Sequence, residues 1–318
     1  MTDMAFKTAI DAVSAKGCLR WGVEHLYYEV CRRLRRKQWH WGVFAVLCFV
    51  PGIISLIAKS FWPLVSIPVG AAIWALMRAK ALFPVVGLDK NVFDSMWRKW
   101  ISTHGQPAGV IVRKDAPPPR REKEPDLGDY SFDRAVICDR ARTVDLLLAN
   151  NFHFENNCAV LSVSGYPPGP FETVRAMLKR NPRLQVFVLH DATVEGCRLA
   201  HILASTPDWF KGQGEIIDVG LRPRHRKPFA GLYLPSPGAV IGNTAGLAPE
   251  EVEWLGKYML ELAAIRPEQI LKRLYRAITR KAGTSRSETD FENMAMDFDN
   301  ESFSADAGDS EGGADGFG

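Results

Sequence analysis

The chain has 318 residues but only six cysteines and seven histidines. The cysteines (Cys18, Cys31, Cys48, Cys138, Cys158 and Cys197) form no C-x-x-C pair and no zinc-finger spacing, which excludes the usual structural zinc sites. Several of them fall in apolar runs, where cysteine behaves as a small hydrophobe. That pattern argues for a reducing compartment and against a disulfide scaffold. No internal repeat appears at solenoid or propeller periods. No G-x-G-x-x-G follows the first strand of the α/β region and no G-x-x-x-x-G-K-[ST] occurs anywhere, so dinucleotide and P-loop nucleotide readings have no motif to stand on. No Ser-His-Asp arrangement can be drawn from the sequence either.

The most informative absence is of charge. Residues 41–58 carry no charged side chain, Lys59–Ser60 interrupts, and residues 61–77 are again uncharged. Each run approaches the roughly 17–25 residues that a helix needs to cross a bilayer. Pro51, Pro63 and Pro68 suit a membrane helix better than a soluble one. Trp39, Trp41, Phe61, Trp62 and Trp74 lie where aromatic belts form. The expectation is a two-helix transmembrane hairpin over 38–79. Basic residues flank it on both sides, Arg32 to Lys37 before and Arg78, Lys80, Lys90, Arg98 and Lys99 after. The positive-inside rule then places both termini in the cytoplasm of a bacterial-type inner or plasma membrane, with the lipid bilayer as first partner.

The remaining chain divides by composition. Residues 1–37 read as helical with a break near Gly17. Residues 80–128 hold a helix with Val92, Phe93, Met96, Trp97, Trp100 and Ile101 on one face, then a linker containing Pro117–Pro118–Pro119. That helix suits either a bilayer surface or a packing face of the domain that follows. Residues 224–282 read as a helical extension, with helices at 250–264 and 267–280. Residues 283–318 are acidic and poor in aliphatic residues, so a disordered tail is expected, able to dock on a basic protein partner or on this chain's own basic loop.

From 129 to 223 strands and helices alternate. Strands are expected at 135–138, 158–163, 186–189 and 215–219, and helices at 141–150, 170–180 and 194–203. This rhythm predicts a parallel sheet with helices on both faces. In such sheets ligands bind at the carboxyl ends of the strands. Asp139 and Asp191 follow the first and third strands, and Asp191, Thr193 and Glu195 could offer oxygen ligands to a magnesium ion. Asp191 or Thr193 also has the sequence position of a helix cap. The run Arg222–Pro223–Arg224–His225–Arg226–Lys227 follows the last strand and can reach phosphates, with Arg222, Arg224 and Arg226 as the binding groups.

The order Asp139, Gly165 and Asp191–Ala192–Thr193–Val194–Glu195–Gly196 resembles the Toprim domain of topoisomerases and primases. That family places a Glu after the first strand, a Gly after the second and a D-x-D-x-x-G motif after the third. The resemblance implies that Asp139 and Asp191 are catalytic and that Asp139, Asp191, Thr193 and Glu195 surround Mg2+. It implies that Gly165 lies at the ligand and that the ligand is a nucleic acid. The chain departs from the pattern twice. Asp139 stands for Glu, a shortening of about an ångström that can reduce a rate about 100-fold. Thr193 stands for Asp and removes one charge from the metal set. The expectation is therefore a membrane-anchored binder of nucleic acid or a phosphate ligand, with weak or no catalysis. The alternatives are a metal-dependent nuclease or strand-transfer enzyme and a structural anchor that recruits protein partners. The segment 26–31, with Tyr27 and Tyr28, is similar to the tyrosine-bearing helix of the type IIB topoisomerase A subunit. Its position directly before the apolar runs argues against carrying that role over.

Overall fold

The computed structural model describes residues 2–39, 85–112, 132–212, 214–238 and 244–279. The expected transmembrane hairpin, the proline-rich linker and the acidic tail lie outside the described residues. No helix among the described residues is long and apolar enough to cross a membrane.

Four strands, β1 (Arg134–Cys138), β2 (Cys158–Ser162), β3 (Gln185–Leu189) and β4 (Glu215–Asp218), form one sheet in the order β2-β1-β3-β4. All its pairings are parallel, with Cys138 opposite Ser162 on one side and Leu189 on the other. β1 to β3 are apolar almost without alternation because both faces are covered. Alternate residues part to opposite sides. Ala135, Ile137, Val186 and Val188 pack with Phe171 and Leu178 of α6 (Phe171–Arg180) and with Leu199 and Leu203 of α7 (Val194–Ser205). Val136, Cys138, Phe187 and Leu189 join a larger cluster with α4 (Ala141–Ala149), α5 (Phe152–Glu155) and α9 (Pro267–Thr279).

The N-terminal helices belong to that larger cluster. Phe6 of α1 (Asp3–Val13), Leu26 and Tyr28 of α2 (Val23–Trp39) and Phe93 of α3 (Lys90–His104) share it with the strands. Phe93, Met96, Trp97 and Trp100 of the apolar face of α3 pack on protein, and Val92 is exposed. Trp97 and Trp100 meet the Phe6 ring at centroid distances of 6.3 and 5.1 Å, and Trp97 meets Trp21 at 6.1 Å.

The expected helix over 250–264 is corrected. α8 (Pro249–Leu255) stops before Gly256, and β6 (Tyr258–Met259) pairs antiparallel with β5 (Leu234–Pro235). The cause is tertiary. Ala192 N–H donates to Leu260 O at 2.8 Å and Leu260 N–H returns a bond to Ala192 O at 3.2 Å. These bonds draw the segment out as a strand against the exit of β3, where it carries Glu261 and Leu262 to the sheet's edge.

Candidate functional site at the carboxyl edge of the sheet

In this strand order β1 and β3 are neighbours whose chains leave in opposite directions, which makes their carboxyl ends the topological switch point. Asp139 and Asp191 meet there. Asp139 Oδ2 accepts the Asp191 backbone N–H at 2.9 Å. The Asp191 side chain is only 1% exposed, and its Oδ1 accepts the Leu262 N–H at 2.6 Å. Its Oδ2 lies 2.8 Å from Arg140 Nε and 3.5 Å from Arg142 Nη2. Arg142 also holds Glu261 at 2.8 Å, and Glu261 accepts the Tyr28 hydroxyl at 3.1 Å. α2 and the 260–264 segment therefore lie over the switch point.

Burial pushes both carboxyls up. For Asp139 burial and the neighbouring Asp191 charge raise it to about 7, against the pull of the Asp191 amide. For Asp191 burial raises it, while the Leu262 amide and the two guanidinium groups draw it back. Asp139 Oδ1 is buried with no hydrogen-bond partner among the described residues.

The other predicted metal ligands are placed elsewhere. Thr193 Oγ1 accepts the Gly196 N–H at 3.0 Å and caps α7, and Glu195 is exposed on the first turn of that helix. Gly196 allows that turn to form, since a Cβ there would collide with Asp191 O. Among the described residues no group of three or more His, Cys, Asp or Glu side chains is placed to hold a metal ion. The structure thus brings together Asp139 and Asp191 from the expected set of four and sets Arg140 and Arg142 against Asp191. Gly165 (φ +81°) makes the tight turn after β2, with open space where a side chain would be.

Next along the edge, His190 is fully buried. Its Nδ1 lies 2.7 Å from Asp191 O and its Nε2 2.9 Å from Asp218 Oδ1. A carbonyl and an ionised carboxylate only accept, so both ring nitrogens must carry protons. Burial opposes that charge, and the bond and charge of Asp218 outweigh it, holding His190 well above its ordinary range. We expect the His190 imidazole to remain doubly protonated above pH 6.5, the ordinary imidazole value. Nitrogen-15 NMR should then show two N–H-type ring nitrogens. A neutral tautomer just above that pH would refute the assignment.

Arg222, expected to bind a ligand, is engaged within the protein. Its Nε donates to Asp218 at 2.7 Å, its Nη1 to Glu251 at 3.1 Å and its Nη2 to Cys197 O at 3.3 Å. The rest of the basic run forms two 3-10 turns, Pro223–His225 and Lys227–Phe229, with Arg224, Arg226 and Lys227 exposed. Inside them His225 is buried and accepts the Arg222 N–H on Nδ1 at 3.1 Å. Burial first, then the charges of Arg273 and Arg224, pull His225 down to about 3, so it stays neutral within a positive patch.

A cavity of about 420 Å³ opens beside the switch point, lined by His25, Arg142, Asp145, Glu261 and Lys90. Burial pulls His25 down to about 4, so it is neutral there.

Sequence reasoning missed the counter-ions. Arg140 and Arg142 stand one and three residues after Asp139, and that proximity was the available signal. Glu261 and Tyr28 are far from Asp191 in the chain and left none. No protein-family model, curated protein or solved structure matches the chain.

Proposed function

We propose that the chain is a membrane-anchored, Toprim-like α/β module that binds a phosphate-bearing polyanion through its basic loop and does not cut it. One observation carries the reading. Asp191, at the exit of β3, is buried with Oδ1 bonded to the Leu262 amide and Oδ2 ion-paired with Arg140 and Arg142 but without a hydrogen bond, while Arg224, Arg226 and Lys227 face solvent. A magnesium ion relies on carboxylate oxygens and substrate phosphates together. At this edge Arg140 and Arg142 set positive charge against the Asp191 carboxylate instead. Exposed Arg and Lys side chains bind phosphate oxygens without any metal.

The test uses the full chain in neutral detergent, with supercoiled plasmid plus magnesium and with a labelled DNA duplex. The expected outcome is salt-dependent binding and no nicking. Replacing Arg224, Arg226 and Lys227 together with glutamine should flatten the log–log salt dependence by roughly two to three units, at about 0.9 per phosphate contact. Plasmid nicking that disappears in Asp191→Ala would instead establish the nuclease alternative.

A further inference from the structure

The basic loop lies where the chain leaves for, and returns from, its two uncharged runs. α2 ends at Trp39, and the chain is next described from Val85. Arg35, in the last turns of α2, lies against Gly231, since a Cβ there would overlap its guanidinium. Val85 bridges Tyr233 in parallel, and Val86 N–H donates to Tyr233 O at 2.9 Å. The Tyr233 hydroxyl in turn donates to Arg226 O. Arg226 is thus one tyrosine side chain from the returning chain at Val85, and the loop touches the described residues on both sides of 40–84. Phe229, Leu232 and Tyr233 are each at most 5% exposed, so the loop is rooted in the core and holds this position. Arg224, Arg226 and Lys227 are exposed beyond that root.

We infer that this loop is a docking surface for the anionic headgroups of the bilayer that receives residues 41–58 and 61–77. The inference rests on the phosphate-binding reading above and names the source of the phosphate. Charge complementarity and the contacts on both sides of 40–84 select the membrane over a ligand from solution. A loop that touches the points of departure and return lies within reach of the headgroup layer, where surface potential acts over roughly 8–10 Å. Each Lys or Arg held there contributes roughly five-fold to the docking equilibrium, on the order of 100-fold for three.

The test is hydrogen exchange at the amides of residues 224–233. The full chain is placed in phosphatidylcholine nanodiscs, with or without phosphatidylglycerol. Expected is exchange slowed by tenfold or more in the anionic discs. The effect should reverse in high salt and be absent in Arg224→Gln/Arg226→Gln/Lys227→Gln, whose remaining amides should exchange as in the parent protein. Two further arms use phosphatidylcholine discs with inorganic phosphate or with duplex DNA. Slowing by DNA or phosphate but not by anionic lipid would overturn the membrane inference and leave the phosphate-binding reading standing. No response in any arm would overturn both.

Discussion

Replacing Glu29 with glutamine should destabilise the protein by about 3–5 kcal/mol, the usual effect of removing one partner from a buried charge cluster. Glu29 sits mid-helix in α2 and is 3% exposed. Its two oxygens hold Arg32 at 2.6 Å, Arg33 at 3.0 Å and Arg266 at 3.1 Å. Arg32 also donates to Ala264 O at 2.7 Å. The cluster therefore pins α2 to the turn before α9, and the same turn presents Leu262 to Asp191. Glutamine keeps the shape and removes the charge, leaving three guanidinium groups around a neutral amide. Burial opposes ionisation of Glu29, but Arg32, Arg266 and Arg33 hold it down at about 2. A carboxyl whose folded value is depressed contributes stability above its unfolded value, near 4.5, and loses it as pH falls toward 2. The parent protein should therefore weaken on acidification over that range, and Glu29→Gln should weaken less. Thermal unfolding followed by tryptophan fluorescence at two pH values measures both effects. A variant within about 1 kcal/mol of the parent near neutral pH would show that the cluster does not hold α2 in place.

The sheet was legible and its covering was not, for physical reasons. β1, β2 and β3 lie within one residue of the expected strands, because uninterrupted apolar runs ending in Asp, Ser-Gly or His-Asp leave few alternatives. The helix cap at Thr193 was likewise a local matter. The fate of Arg222 was not. As part of a basic run it looked like a phosphate ligand, but Asp218 and Glu251 claim it through folded proximity. The helix expected over 250–264 failed on the same account, since the backbone bonds to Ala192 arise only once β3 is in place. α2 is the largest surprise. Its basic end suggested a membrane flank, whereas its middle carries Tyr28 and Glu29, both buried, across the edge where a ligand was expected. Composition registers charge, and only the fold shows which charges face one another.

Asp139→Asn tests whether that covered edge is a working site. Asp139 follows the strand where the resemblance places a catalytic carboxylate, yet burial and Asp191 raise it to about 7. A carboxyl whose folded value exceeds its unfolded one binds more protons in the native state. Its favourable contribution is complete below the unfolded value, near 3.8, and is lost as pH rises through about 7. Above that the native state must hold a buried, poorly compensated charge. Each unit of displacement corresponds to about 1.4 kcal/mol, so the penalty reaches a few kcal/mol near pH 8. An asparagine oxygen can still accept the Asp191 N–H that Asp139 Oδ2 accepts at 2.9 Å. The amide nitrogen would replace Oδ1, which is buried without a hydrogen-bond partner among the described residues. Asp139→Asn should therefore raise the melting temperature at about pH 8, by several degrees per kcal/mol in a small domain, and leave it little changed at about pH 4. DNA binding should be the same in both proteins, because the basic loop is untouched. The opposite pattern is a variant no more stable at high pH that has lost binding or magnesium-dependent nicking. It would mean that the Asp139 charge is retained for chemistry, and the non-catalytic reading would fall with it.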